Sequence, residues 1–211
     1  LKDEECRKIF ERRRNPADGL ECPRIHSPRG GRAHIITSDD EGVTWSGPET
    51  LVNTKMDDRH PTILELDDGT LFCSFFCAPP TKKVRAAYIL STDGGKSWTP
   101  PRTVHPGAGG FGNGSAILLS DGTIAWAIQI KDNENKFVSS GIFLSHDRAK
   151  TFELAAVIRS DHNLLETTIA ELSDGRLMAV SRRECDICWS DDGGRTWTDP
   201  AGLGVDLFDP H

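Results

Sequence analysis

The sequence has one tyrosine, Tyr88, in 211 residues, and little basic charge: 25 Lys and Arg stand against 32 Asp and Glu, a formal net charge of −7. An acidic chain of this kind is a poor binder of nucleic acid and other polyanions. No run of about eighteen apolar residues occurs, so no segment is built to cross a membrane as a helix. Residues 1 to 20 are too charged to be a secretory signal. Helical periodicity is missing too, apart from Asp3 to Arg14, whose Arg12-Arg13-Arg14 cluster reads as solvated surface. The glycine-rich stretch Gly107 to Gly112 is followed by no lysine, which argues against a phosphate cradle.

What is present is turn chemistry, with 20 Gly and 12 Pro, beside 5 Trp and 9 Phe for a core. Six cysteines occur; Cys73 and Cys77 lie in an apolar, strand-like run, and Cys185-Asp186-Ile187-Cys188 interrupts another. A zinc or redox reading of that CxxC lacks the second ligand pair or the βαβ context that would make it specific, so buried or paired structural cysteines are favoured.

Four segments share the pattern Ser-x-Asp-x-Gly-x-(Ser/Thr)-(Trp/Phe), an Asp box. They carry Ser38, Asp40, Gly42 and Trp45; Ser91, Asp93, Gly95 and Trp98; Ser145, Asp147 and Phe152; and Ser190, Asp192, Gly194 and Trp197. The third copy is degenerate, with Ala149 in place of glycine. The four Asp residues follow one another at steps of 53, 54 and 45, which is the length of a propeller blade. A second motif keeps the same period: an apolar strand, an Asp-Gly turn and another apolar strand, with turns at Asp68-Gly69, Asp121-Gly122 and Asp174-Gly175.

Each unit therefore reads as two hairpins, one turning at Asp-Gly and one at the Asp box, and four antiparallel strands make a blade. The expected fold is an all-β propeller of four-stranded antiparallel blades, about four of a probable six. Residues 1–211 read as a single partial propeller domain, with 1–30 a poorly defined N-terminal part, and the chain reads as a fragment of a longer protein. The box has a physical rationale: short Ser and Asp side chains satisfy backbone N–H groups in a tight turn, glycine takes the left-handed position, and the aromatic packs between blades. As a calcium loop, Asp39 to Gly42 would need a later bidentate acid, and none sits at the required position. No metal or cofactor is expected.

Residues at equal offsets from the inner turns should converge on a central pocket. Eight before the turn Asp stand His60, Asn113 and Glu166; eight after stand Phe76, Gln129 and Arg182. The third hairpin thus places Glu166 and Arg182 opposite each other, and a slip of one residue would substitute Arg183. Two readings of this pair stand: an ordinary cross-strand salt bridge, or an acid and a base at the rim of a pocket. Asp57-Asp58-Arg59-His60-Pro61 opens the first such strand, with Arg59 either a substrate contact or a structural ion pair. Tyr88, in the strand before the second box, reads as packing.

The stretch from Glu166 through Leu172-Ser173-Asp174-Gly175-Arg176 to Arg182 resembles the sialidase signature: a Glu, then Leu-x-Asp-Gly-Arg, then an Arg. The resemblance runs from about residue 30 to 211. It implies that Glu166 polarises a tyrosine nucleophile and that Arg182 is one of three arginines clamping the sialic acid carboxylate. The implied chemistry is retaining glycoside hydrolysis through that tyrosine, with a separate Asp as acid/base; Asp18 is the residue on offer. The sequence has no Phe/Tyr-Arg-Ile-Pro motif, which would bring the first clamp arginine, and it stops before the third arginine and the nucleophile are due. The implied partner is a sialylated or other acidic glycan, in an extracellular or periplasmic setting. A non-catalytic Asp-box propeller that binds glycans or proteins is the alternative.

Overall fold

The computed structural model describes residues 31–78, 84–105, 114–131, 134, 136–182 and 184–204. Among them are strands and turns, with no helix long and apolar enough to cross a membrane. Asp18, Asn113, Arg183, the run Asp3 to Arg14, Cys6 and Cys22 lie outside the described residues. The chain forms two compact units, one of Leu1–Arg59 with Cys77–Lys82 and one of His60–Phe76 with Lys83–His211.

In the first unit, β1 (Ala33–Ile35) and β2 (Glu49–Val52) make a two-stranded antiparallel sheet joined by the first Asp box. Beyond β2 the chain is pinned by two buried carboxyl groups. Asp57 accepts the Gly31 amide at 2.6 Å and the Arg59 guanidinium at 2.6 Å. Asp58 accepts the amide and the hydroxyl of Thr54, both at 2.7 Å.

Three four-stranded antiparallel sheets follow in chain order, each a meander. The first is β3 (Asp57–Glu65), β4 (Leu71–Ala78), β5 (Arg85–Ser91) and β6 (Arg102–Thr103). The second is β7 (Ile117–Leu118), β8 (Ile124–Lys131), β9 (Val138–Ser145) and β10 (Glu153–Ile158). The third is β11 (Leu165–Glu171), β12 (Leu177–Arg182), β13 (Asp186–Ser190) and β14 (Ala201–Gly202). These are the expected blades. Within each, the Asp-Gly turn joins the first two strands, and the Asp box joins the last two. At the turns, Gly69, Gly122 and Gly175 have φ of 79°, 84° and 83°, the left-handed region where a side chain is strained.

Strands covered on both faces lose the polar–apolar alternation of a half-exposed sheet. β4 reads Leu-Phe-Cys-Ser-Phe-Phe-Cys-Ala and is almost wholly buried for this reason. Two cores result. Phe72 and Tyr88 of the first sheet stack at 5.2 Å and meet Trp126, Phe143 and Phe152 of the second. Leu119, Ile142, Leu144 and Ile158 of the second meet Leu164, Ile169, Leu177 and Cys188 of the third, with Trp197 packed against them. Each large buried side chain stabilises the packing by about 1.5–3 kcal/mol.

The four Asp boxes repeat one hydrogen-bond set. In the first, Ser38 Oγ donates to Asp40 Oδ1 and accepts the Gly42 amide, while Asp40 accepts the amide and hydroxyl of Thr44 at 2.8 and 2.6 Å. Asp93, Asp147 and Asp192 accept the amides of Ser97, Thr151 and Thr196 in the same way. In the degenerate copy Ala149 has φ 60°; its methyl group is buried, and its carbonyl accepts the Tyr88 hydroxyl at 2.9 Å. Inter-sheet packing thus offsets the strain that glycine would avoid. Phe152 and Trp197 pack between sheets as expected, whereas Trp45 is 58% exposed. In its unit the described sheet has two strands, which offer no second sheet face to cover an indole.

Hydrogen bonds from the Thr44, Ser97 and Thr196 side chains hold Asp40, Asp93 and Asp192 at about 2, below the usual 3.8. A carboxyl group depressed on folding contributes stability that is complete above its unfolded value and lost as pH falls through its folded one. Thermal melts from pH 5 to pH 2 are therefore expected to show stability falling between about pH 4 and pH 2. Asp93→Asn should make that fall shallower; an identical profile in the variant would remove the box carboxylates as its cause.

Candidate functional site

The third blade's inner hairpin pairs Glu171 with Leu177, Ala170 with Met178, Ile169 with Ala179 and Thr168 with Val180. The next pair is Leu165 with Arg182, so Glu166 and Thr167 together face Ser181. This is a β-bulge, and Glu166 takes its left-handed position at φ 51°. Thr167 and Ser181 are buried and share a hydroxyl hydrogen bond of 2.8 Å. The bulge carries the Glu166 carboxyl group toward the neighbouring strand, where Oε2 lies 3.2 Å from Arg182 Nε. Both side chains remain partly open to solvent, Glu166 at 33% and Arg182 at 48%.

Magnitudes decide how this arrangement is held. A non-glycine residue in the left-handed region costs on the order of 1–3 kcal/mol. An exposed ion pair returns less than about 1 kcal/mol. The pair is therefore too weak to hold its own backbone; the buried Thr167–Ser181 bond and fully buried Leu164 flank it. Strain of this kind beside a half-exposed carboxylate and guanidinium makes Glu166 and Arg182 the candidate site.

The first blade repeats the left-handed backbone. His60, at the same offset as Glu166, has φ 50°, and its ring meets Phe76 edge-on at 5.0 Å. Thr62 and Ser74, six residues either side of Asp68, share a hydroxyl hydrogen bond, one position nearer the turn than the Thr167–Ser181 pair is to Asp174. In the second blade Gln129 is buried and lies across from Ser140, whose own hydroxyl is buried without a partner among the described residues. Arg59 belongs to the first unit and is held by Asp57. Tyr88 is buried, and that burial raises its hydroxyl's pKa.

Two residues at this end of the third blade escape the offset reading. His162 precedes β11 and Asp186 begins β13; Nε2 and Oδ2 are 2.6 Å apart, while Nδ1 lies 2.8 Å from Asp161 Oδ1. The hydrogen bond to Asp186, and after it that to Asp161, raises the His162 pKa against the effect of burial. Ser160 Oγ is 3.0 Å from Nδ1 and 3.3 Å from Nε2, off the axis of either lone pair, so this is no nucleophile–base pair. An offset of twelve residues on each side of Asp174 would have found both His162 and Asp186.

Cys73, Cys77, Cys185 and Cys188 are buried and not joined to one another by disulfides, and no group of three metal-ligating side chains occurs among the described residues. Burial pushes Cys73 up to about 12 and Cys188 to about 11. The thiolate is the reactive form, so both should resist a thiol-modifying disulfide reagent at pH 8 in the native protein and react on unfolding in urea. Rapid native labelling, located by peptide mapping at either residue, would contradict this.

The profile of the BNR repeat-like domain family matches residues 59–207. A sialidase of Bacteroides fragilis (strain YCH46) is 31% identical over 120 residues, covering 52% of this chain and 22% of that protein. Among solved structures, a Dyadobacter fermentans protein of unknown function aligns over 90% of this chain and 63% of its own, with 22% identity and a TM-score of 0.73. The Hadza microbial sialidase Hz136 aligns over 80% and 40%, with 23% identity and a TM-score of 0.65. Trypanosoma rangeli sialidase in complex with the inhibitor DANA aligns over 81% and 33%, with 20% identity and a TM-score of 0.65. The blades described above have the fold of these sialidase propellers, and the chain spans only part of the length of each relative.

Proposed function

We propose, from the premise that the chain belongs to the BNR repeat-like family of the sialidase superfamily, that it supplies blades of an exo-α-sialidase-like glycoside hydrolase. Such an enzyme removes terminal sialic acid from glycoconjugates. The observation that carries this reading is the Glu166–Arg182 pair, set half-exposed on a strained bulge. Arg182 remains 48% exposed beside this bridge, and its planar guanidinium fork suits an incoming carboxylate better than an ammonium group would. Glu166 in this reading polarises the nucleophile, a role that requires a carboxyl group beside, not inside, the anion clamp. His60 and Gln129 are further proposed sugar contacts; Arg59, Asn113 and the acid/base candidate Asp18 are proposed from the sequence alone.

A second reading has one specific observation behind it. The sole tyrosine is buried and hydrogen-bonded to Ala149, so a tyrosine nucleophile is not among these 211 residues. A propeller that binds acidic glycans without cleaving them would need only the clamp. Hydrolysis of a fluorogenic sialoside by the complete protein, blocked by an unsaturated sialic acid mimic, is the expected result. A folded protein that binds sialyl-oligosaccharides without turnover would select the second reading, and one that does neither would reject both.

A further inference from the structure

The segment between β10 and β11 is tied at two places. Toward the second blade, the Leu164 amide donates to the Val138 carbonyl at 3.0 Å, and the Val138 amide donates to Asn163 Oδ1 at 2.9 Å. Toward the third blade, His162 reaches past the end of β12 to Asp186 on β13 at 2.6 Å. Asp186 is buried, and Leu164 is fully so. Glu166 follows at once, in a backbone conformation that its own ion pair is too weak to hold.

We propose that His162 is a positioning residue for Glu166: by gripping Asp186 it straps the incoming segment onto the third blade, holds the bulge in register beside Arg182, and lets go at alkaline pH. This rests on the reading of Glu166 and Arg182 given above only for its bearing on glycan binding; the strap itself stands on geometry. A buried carboxyl group needs a partner, and a cationic imidazole supplies a charge-assisted bond that a neutral one does not.

The sign follows from the surroundings. Among the described residues, Asp186 on β13 and Asp161 in the strap are the charged groups facing the ring, and both favour its protonated form. Ser160 adds an uncharged hydroxyl. Arg159, at the start of the segment, pairs with Glu134 at 3.0 Å. Cys188 on β13 feels Asp186, but burial keeps its thiol at about 11, above the range that matters here. A histidine raised on folding contributes stability that is complete below its usual 6.5 and lost as pH rises through its folded value.

Hydrogen exchange at the Leu164 and Val138 amides, expressed as protection so that the intrinsic pH dependence cancels, reads the strap directly. In the unaltered protein protection should fall severalfold between pH 6 and pH 9, as the charge-assisted bond from His162 to Asp186 gives way to a weaker neutral one. His162→Gln keeps a donor but cannot titrate, and should show low protection with a flat profile. Asp186→Asn should do the same and serves where the first variant folds poorly. Profiles in which both variants follow the unaltered protein would overturn the strap. Affinity for the unsaturated sialic acid mimic, measured in parallel, should fall with rising pH in the unaltered protein and stay level in His162→Gln. Failure to bind the mimic at every pH would overturn the sialic acid reading, while the exchange profiles still decide the strap.

Discussion

Alanine at Gly114 is expected to destabilise the chain by about 3 kcal/mol and to disturb the site on the next blade. A Cβ there would lie 1.9 Å from the Thr167 carbonyl oxygen, 2.9 Å from its carbon and 3.1 Å from Thr168 Cα. All three are backbone atoms, so no side chain can swing aside, and the inner strand of the third blade must move. Thr167 is the second residue of the bulge and is bonded to Ser181, so the displacement reaches Glu166 directly. Gly114 is held from its other side as well, because its carbonyl accepts the Trp126 indole at 2.7 Å. For a domain of this size, 3 kcal/mol corresponds to a fall in melting temperature of roughly 6–12 °C. Gly175→Ala is the matched control. That glycine has φ 83° and nothing within 4 Å of a built Cβ, so the substitution meets conformational strain alone, about 1 kcal/mol. Calorimetry on both variants separates the two effects; equal shifts would show that the blades accommodate a methyl group at Gly114.

The second large effect is on chemistry. On the proposed reading, Glu166→Gln and Arg182→Ala in the complete protein should each lower kcat/KM for a sialoside on the order of a hundredfold, as removal of one preorganised charged or hydrogen-bonding group does in other enzymes. Stability should change by less than about 1 kcal/mol, because the pair is exposed and its bridge is weak. The two variants should differ in kind. Losing the guanidinium removes binding of the carboxylate in ground and transition states alike and raises KM; losing the carboxylate's basicity lowers kcat with KM little changed. Urea melts beside the kinetics test this. Unaltered kinetics with a stability loss well above 1 kcal/mol would return the pair to an ordinary cross-strand bridge.

The bulge also explains why the hairpin offset alone describes this pair incompletely. Counting eight residues from Asp174 places Glu166 opposite Arg182, yet the backbone partner of Arg182 is Leu165. One extra residue turns successive side chains, and the left-handed φ at Glu166 lets its carboxyl group reach Arg182 all the same. No residue type announces that conformation here, since glycine or asparagine would be the usual signal and the chain has glutamate. His60 hides the same left-handed φ in the first blade.

The sequence by itself determined the repeat, the two hairpins of each blade and the chemistry of the Asp box, because every partner in those features is close in the chain. Ser38 bonds Asp40 and Gly42, Asp40 bonds Thr44, and the same distances recur wherever the motif recurs. Tyr88 was legible as packing for a related reason, an apolar run leading into a box. The tertiary structure alone decided that Gly114 lies against Thr167, that Ala149 replaces a glycine by filling a core, and that His162 grips Asp186. The first two join residues brought together by sheets stacking on sheets, and the third joins the entry of a blade to that blade's third strand. Packing at that range depends on shapes summed over whole blades, and a local pattern of residues does not encode it.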